Sequence, residues 1–140
     1  MTSSIGSITY FETPGKENTE PTLRIAKERA EQLGLRQDLV VVTHSAGSSK
    51  PNLQALTEDN REAILAHGAR VLTCQHAFGG VNRAVRRKLD TYQLDEIIAY
   101  TLRLFGEGMK VVCEITLMAA DAGLIRTDEP VLAIAGSNRG

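Results

Sequence analysis

The 140-residue sequence has no tryptophan, and aromatic residues of all kinds make up only 4% of the chain. Proteins that bind single-stranded nucleic acid stack the bases on aromatic side chains. The net charge of −1 also supplies no broad basic surface for a polyanion. The sequence therefore argues against a nucleic-acid partner.

Cysteine is scarce, and long apolar runs are absent. Cys74 and Cys113 are the only two cysteines, they lie far apart, and neither has metal-ligand spacing. No apolar run approaches the length of a membrane span. Residues 1–7 lack the basic and apolar regions of a signal peptide. We expect a cytoplasmic protein with two free thiols, no metal site and no membrane partner.

Familiar catalytic motifs are also missing. There is no cluster of metal ligands, no pair of catalytic carboxylates and no nucleotide-binding glycine pattern around Gly79-Gly80. Ser45 lies in Thr43-His44-Ser45-Ala46-Gly47, which is not the Gly-x-Ser-x-Gly order of a nucleophile elbow. A hydrolase is therefore disfavoured.

Strands and helices alternate along a single predicted domain, residues 1–140. Period-2 and apolar runs predict strands at 8–12, 39–42, 71–74 and 131–135. Helical periodicity and caps predict helices at 20–33, from a Thr57 cap to about residue 67, at about 93–105, and at 109–122. In the third of these helices, the face predicted to point inward consists of Leu94, Ile98, Thr101, Leu102 and Phe105.

The segment predicted as the last helix has an alternative, because residues 110–113 also suit a strand. The spacing of Val111, Ile115, Met118 and Ala122 favours a helix. The alternation as a whole predicts an α/β fold, a three-layer α/β/α sandwich with a small, mostly parallel sheet. Such a sheet has exposed edges, which favour a homo-oligomer.

The loops of this predicted fold are asymmetric. Loops that return from helix to strand are short, whereas long polar loops follow the carboxyl ends of the strands, where open α/β sheets bind their ligands. Glycines, helix N-termini and basic side chains in these loops suit an anionic, phosphorylated small molecule. The candidate binding residues are Thr13, Gly15, Lys16, Glu17, Asn18, Thr19, Thr43, His44, Gly47, His76, Gly80, Arg83, Gly136, Ser137 and Arg139.

Glu114 is a further candidate: on an apolar helix it lies either at the surface or paired in the interior, and a buried carboxylate would be a functional candidate. Several candidates also have a purely structural interpretation. Asn18 and Thr19 suit the cap of the following helix, and the basic group at 83–88 suits a solvated face. His44 and His76 each follow a strand, yet a hydrogen-bonding structural histidine is an equally good interpretation.

Nearly the whole chain resembles a family of small stand-alone proteins related to the C-terminal α/β domain of pyruvate kinase. The resemblance is most specific at residues 14–19 and 114–123. It also covers 10–13, 40–47, 73–77, 102–108 and 136–140, together with Gly80, Arg83, Arg87 and Lys88. It implies a three-layer sandwich and a helix at 109–122. Pyruvate kinase activity is not expected, because the catalytic barrel is absent. The resemblance implies a phosphorylated ligand, with flavin mononucleotide (FMN) as the best candidate.

The chain departs from this family in two places. A βα unit with a phosphate-suited turn has no counterpart between Gln37 and Asp38, and the family's further C-terminal strands have none after Gly140. If that turn is absent, Lys16 and Arg139 would be the main residues that bind the phosphate.

Three functions follow as hypotheses. The first is a non-catalytic domain that holds a phosphorylated ligand, FMN for preference. The second is a flavin-dependent oxidoreductase with His44 or His76 as the proton donor. The third is an oligomerisation or interaction module that docks through a sheet edge or through the loop that carries the basic group at 83–88.

Overall fold

A computed structural model describes residues 6–35 and 38–136 of the chain. Within these ranges the fold is mixed α/β, with five α-helices, two β-strands and a short 3₁₀ turn at Lys16–Asn18. The strands and helices in chain order are α1 Thr19–Leu33, β1 Val40–Val42, α2 Glu58–Ala66, β2 Arg70–Leu72, α3 Val81–Leu89, α4 Leu94–Arg103 and α5 Glu107–Asp121.

The two strands pair in parallel through a β1–α2–β2 crossover. Val40 lies opposite Arg70, and Val42 lies opposite Leu72. The ladder extends one step further, because the Thr43 N–H donates to the Leu72 carbonyl at 2.9 Å. The carboxyl ends of both strands therefore lie side by side, which confirms the parallel pairing predicted for this pair.

The four predicted helices are all present. α1 ends at Gly34, whose φ of +61° is the left-handed conformation that glycine adopts at low cost. α2 begins at the predicted cap, where the Thr57 Oγ1 accepts a hydrogen bond from the Asn60 N–H. The 109–122 segment is helical as α5, which confirms the periodicity argument. α3 is an addition, because the connection at 75–90 carries no helix in the sequence-based assignment.

Two predicted strands are wrong. Residues 8–11 and 131–135 lie in the described part of the chain and belong to no strand. A strand requires a hydrogen-bonded neighbour, but in this structure β1 and β2 pair with each other and form a two-stranded sheet. Ile8, Tyr10, Val131 and Ile134 are exposed instead of packed on a sheet.

The buried core is small and lies around α5, which packs against both β1 and α4. Met118 and Ala119 are buried on α5, and Phe78 and Ala99 are buried beside them. The inward face predicted for α4 is wrong, because Leu94, Ile98 and Phe105 are exposed. The helix instead turns Glu96 and Ala99 inward, and Glu96 pairs with Arg86 of α3.

Much apolar surface therefore faces solvent in the single chain. The accessible area is 10645 Å², whereas about 7,100 Å² is expected of a monomeric protein of 15.2 kDa. α1 contains no buried residue. None of the helices in the described ranges is long and apolar enough to cross a membrane.

Candidate functional site

Two histidines lie where the parallel strands end. His44 closely follows β1 and His76 closely follows β2, so the parallel pairing brings the two side chains together. Their rings stack with centroids 5.8 Å apart and planes 9° apart. α3 begins just beyond them, with Gly80 at its N-cap.

These elements enclose a cleft of about 490 Å³, which we name the histidine cleft. It is lined by His44, Ser45, Gly47, Ser48, His76, Gly80, Arg83, Ala84, Arg87 and Lys88. The cleft lies at the carboxyl ends of β1 and β2, the position at which ligands bind in parallel α/β sheets.

The α3 side of the histidine cleft is strongly cationic. Arg83 and Arg87 lie one helical turn apart on one face of α3, and Lys88 lies beside them. In the described part of the chain, neither Arg83 nor Arg87 has a carboxylate within 4.0 Å. The first turn of α3 also has no acidic residue, so its N–H groups present an unopposed positive end. The cleft therefore suits an anion.

Gly80 is required at the mouth of this cleft. Its φ is +67°, a conformation that side chains disfavour, and a Cβ there would collide with the side-chain amide of Gln75. Glycine at this position lets the Gln75 side chain pack against the backbone at the start of α3.

Behind His76 lies a buried carboxylate. Glu114 of α5 is 2% exposed. Its Oε1 accepts a hydrogen bond of 2.9 Å from the Phe78 N–H. Its Oε2 accepts a hydrogen bond from the Lys110 Nζ and lies 3.5 Å from the Nδ1 of His76. Burial alone would raise the pKa of Glu114, but the hydrogen bonds from His76, Lys110 and Phe78 outweigh it and lower the pKa to about 2.

This arrangement fixes one side of the His76 ring. The Glu114 carboxylate engages Nδ1, whereas Nε2 is buried and has no hydrogen-bond partner among the described residues. His76 also lines the histidine cleft, so its ring lies against a ligand bound there. Glu114 itself does not line the cleft, so it acts on a ligand only through His76.

A second cleft lies between α3 and α4. It has a volume of about 360 Å³ and is named here the arginine cleft. Its lining consists of Phe78, Arg83, Arg86, Arg87, Glu96, Ala99, Tyr100 and Arg103. Arg83 and Arg87 thus belong to the walls of both clefts.

The structure brings together five of the sequence-predicted site residues in the histidine cleft: His44, Gly47, His76, Gly80 and Arg83. Thr43 is next to them, with its Oγ1 2.7 Å from the Oγ1 of Thr73 across the two strand ends.

The predicted loop at 13–19 takes no part in the lining of either cleft. Lys16, Glu17 and Thr19 are exposed. Asn18 donates from its side chain to the Thr13 carbonyl at 2.7 Å, and its N–H donates to the Gly15 carbonyl at 3.1 Å, so this loop is closed on itself. Gly136 is exposed, and Ser137 and Arg139 lie outside the described residues.

Sequence reasoning missed Arg87, Lys88, Ser45 and Ser48 as lining residues, and it missed Lys110 as the partner of Glu114. The arginines carry a signal, because Arg83 and Arg87 have the i, i+4 spacing that shares one helix face. Lys110 and Glu114 have the same spacing on a predicted helix, although the spacing does not reveal that the pair is buried.

Within residues 6–35 and 38–136, no group of three or more histidine, cysteine, aspartate or glutamate side chains is placed to hold a metal ion. Compared with known protein families, the chain matches no family model.

Proposed function

We propose that this protein is a binding domain that holds a phosphorylated small molecule in the histidine cleft. The observation that carries the proposal is the convergence of Arg83, Arg87 and Lys88 with the N-terminus of α3 on one cleft at the strand ends. Guanidinium groups and helix N–H groups are the donors that proteins use for phosphate. The two histidines add hydrogen-bonding groups beside the charge.

FMN is the ligand that we propose, on the resemblance described above. The residues of the cleft fit such a molecule. Its volume of about 490 Å³ lies within the roughly 300–1,000 Å³ range of cofactor and small-molecule sites. The first turn of α3 carries no acidic side chain that would repel a phosphate.

The same resemblance carries the finer proposal about the fold and assembly. We propose a pyruvate kinase C-terminal domain-like, three-layer arrangement without kinase activity. We also propose a homo-oligomer, because side chains such as Leu94, Leu104 and Phe105 are exposed and the accessible area exceeds that expected of a monomer.

A titration of flavin fluorescence tests the binding proposal. FMN is compared with riboflavin, which has the same ring system and ribityl chain but no phosphate. We expect FMN to bind at least tenfold more tightly, because the cationic donors of α3 act only on the phosphate. Equal affinities, or no binding of either flavin, would contradict the proposal for FMN. Ribose 5-phosphate, measured by calorimetry, then shows whether the cleft accepts another phosphorylated ligand.

Matched arginine variants test the location. Arg87→Gln removes one cationic group from the cleft, and we expect FMN to bind about tenfold more weakly, a loss of roughly 1.4 kcal/mol. Arg61→Gln on α2 removes the same charge from an exposed position outside both clefts and should change the affinity less than twofold. Equal losses in the two variants would indicate a non-specific charge effect.

A flavin-dependent oxidoreductase is the second candidate, and the Glu114–His76 arrangement favours it. A proton donor needs an oriented imidazole within reach of the ligand, and His76 is oriented by a buried carboxylate at 3.5 Å. Oxidation of NADH by the FMN-loaded protein tests this candidate. His76→Gln should lower the rate at least tenfold while FMN stays bound, and an unchanged rate would eliminate His76 as the donor.

A further inference from the structure

Two clefts beside α3 share two side chains. Arg83 and Arg87 line both the histidine cleft and the arginine cleft. A group bound in either cleft therefore meets the same two guanidinium groups.

The other charges of the arginine cleft are locally balanced. The Arg86 Nε donates to the Glu96 Oε1 at 2.6 Å, and the Arg103 Nε donates to the Glu107 Oε2 at 2.8 Å. Arg83 and Arg87 have no carboxylate within 4.0 Å in the described part of the chain. The cleft thus holds about two positive charges that no side chain near it offsets.

The arginine cleft also contains an unsatisfied acceptor. Glu96 is only 5% exposed, and its Oε2 has no hydrogen-bond partner among the residues that the structure describes. A buried carboxylate oxygen without a donor is unfavourable. A ligand hydroxyl could supply that donor, whereas a fully ionised polyphosphate offers only acceptors.

We propose that the arginine cleft is a second ligand site, for a small hydroxylated polycarboxylate, and that its occupation opposes binding in the histidine cleft. The carboxylates of the ligand pair with the guanidinium groups of Arg83 and Arg87. Its hydroxyl donates a hydrogen bond to the Oε2 of Glu96. The opposition rests on the proposed function of the histidine cleft, whereas the second site itself does not.

The opposition has two physical causes. A guanidinium group that turns toward an anion in one cleft is no longer available to an anion in the other cleft. Two anions held near the same two arginines also repel each other. Because coupling between two binding sites is reciprocal, each ligand must weaken the other by the same factor.

Citrate is the probe for this site, and tricarballylate is its matched control with the same three carboxylates but no hydroxyl. In a titration of ¹⁵N-labelled protein, we expect citrate to shift the backbone amides of Ala99, Tyr100 and Arg103. We expect tricarballylate to bind at least threefold more weakly. Citrate without effect on these amides, or equal affinity for the two anions, would overturn the assignment.

The coupling is measured by titrating FMN with and without saturating citrate at constant ionic strength. We expect citrate to raise the Kd of FMN about fivefold, and FMN to raise the Kd of citrate equally. An unchanged Kd of FMN would overturn the coupling. If FMN does not bind at all while citrate shifts the α4 amides, the proposal for FMN fails and the second site stands.

A pair of variants separates the two clefts. Arg103 lines only the arginine cleft, so Arg103→Gln should weaken citrate about fivefold and leave FMN affinity within twofold of the wild type. Arg61→Gln is the charge-matched control and should leave citrate affinity within twofold of the wild type. Equal weakening of citrate by both variants would show non-specific attraction and overturn the proposed site.

Discussion

Replacing Glu114 by glutamine should destabilise the protein severely at neutral pH. The substitution keeps an oxygen that can accept from the Phe78 N–H, but it removes the charge that pairs with the buried Lys110. Lys110 is 5% exposed, so its ammonium would be left without a counter-ion in the interior. Breaking a buried ion pair in this way costs about 3–5 kcal/mol. Urea unfolding at pH 7 of the wild type and Glu114→Gln measures the difference.

The pH dependence of stability provides an independent estimate of the same interaction. The pKa of Glu114 falls from an ordinary 4.5 to about 2 in the folded protein. Its ionised form therefore stabilises the fold above the ordinary pKa, and this contribution is lost as the pH falls toward about 2. The difference of about 2.5 pKa units corresponds to about 3 kcal/mol, of which about 2 kcal/mol should disappear between about pH 6 and pH 3.

A more exposed pair at the junction of α4 and α5 is the control. Arg103 ends α4 and Glu107 begins α5, and their side chains are 33% and 46% exposed. Glu107→Gln should cost less than about 1 kcal/mol. In the double variant of Lys110→Met and Glu114→Gln, part of the lost stability should return, because neither charge is then stranded. The reasoning is refuted if Glu114→Gln costs less than about 1 kcal/mol, or if its stability falls between pH 6 and pH 3 as steeply as that of the wild type.

Four further predictions concern other parts of the molecule. Gly80→Ala should lower the free energy of unfolding by about 1–3 kcal/mol, because of the positive φ and the collision with Gln75; thermal unfolding tests this, and an unchanged Tm would contradict it. Lys16→Ala should leave FMN affinity unchanged, because Lys16 lines neither cleft; a clear loss in the flavin titration would return the 13–19 loop to the site. Thr57→Ala should cost about 1 kcal/mol in urea unfolding through loss of the α2 cap to Asn60, and a loss below about 0.2 kcal/mol would show that the cap contributes little. Light scattering should give a mass at least twice that of one 15.2 kDa chain, and a monomer at micromolar concentration would contradict the proposed oligomer.

The parts of the fold that local patterns determine were predictable from the sequence. The helical spacing of apolar residues in α5 and the Thr57 cap of α2 are local signals, and both are confirmed. α3 was missed although Val81, Ala84, Val85 and Leu89 have helical spacing, because the preceding Gly79-Gly80 and the basic residues at 86–88 also suit a polar loop. The predicted strands at 8–12 and 131–135 have strand-like composition, but composition does not supply a hydrogen-bonded neighbour.

The candidate site shows the same division. His44 and His76 were predicted because each follows a strand, and parallel pairing then brings them together. Burial of Glu114 and the two clefts along α3 depend on how α3, α4 and α5 pack, which no local pattern determines. The 13–19 loop was predicted to join the site on the assumption of a strand at 8–12, and the structure has no strand there.

The buried pair of Lys110 and Glu114 also limits how this chain can diverge during evolution. A substitution of either residue alone leaves one charge stranded in the interior and removes several kcal/mol from a stability that is about 5–15 kcal/mol in most domains. Descendants that retain the fold should therefore keep both residues or replace both, through an intermediate compensated by stabilising changes elsewhere. The Glu114 carboxylate of this pair also orients His76. A lineage that replaces Lys110 and Glu114 by apolar residues therefore also frees the His76 ring at the cleft to take a new orientation.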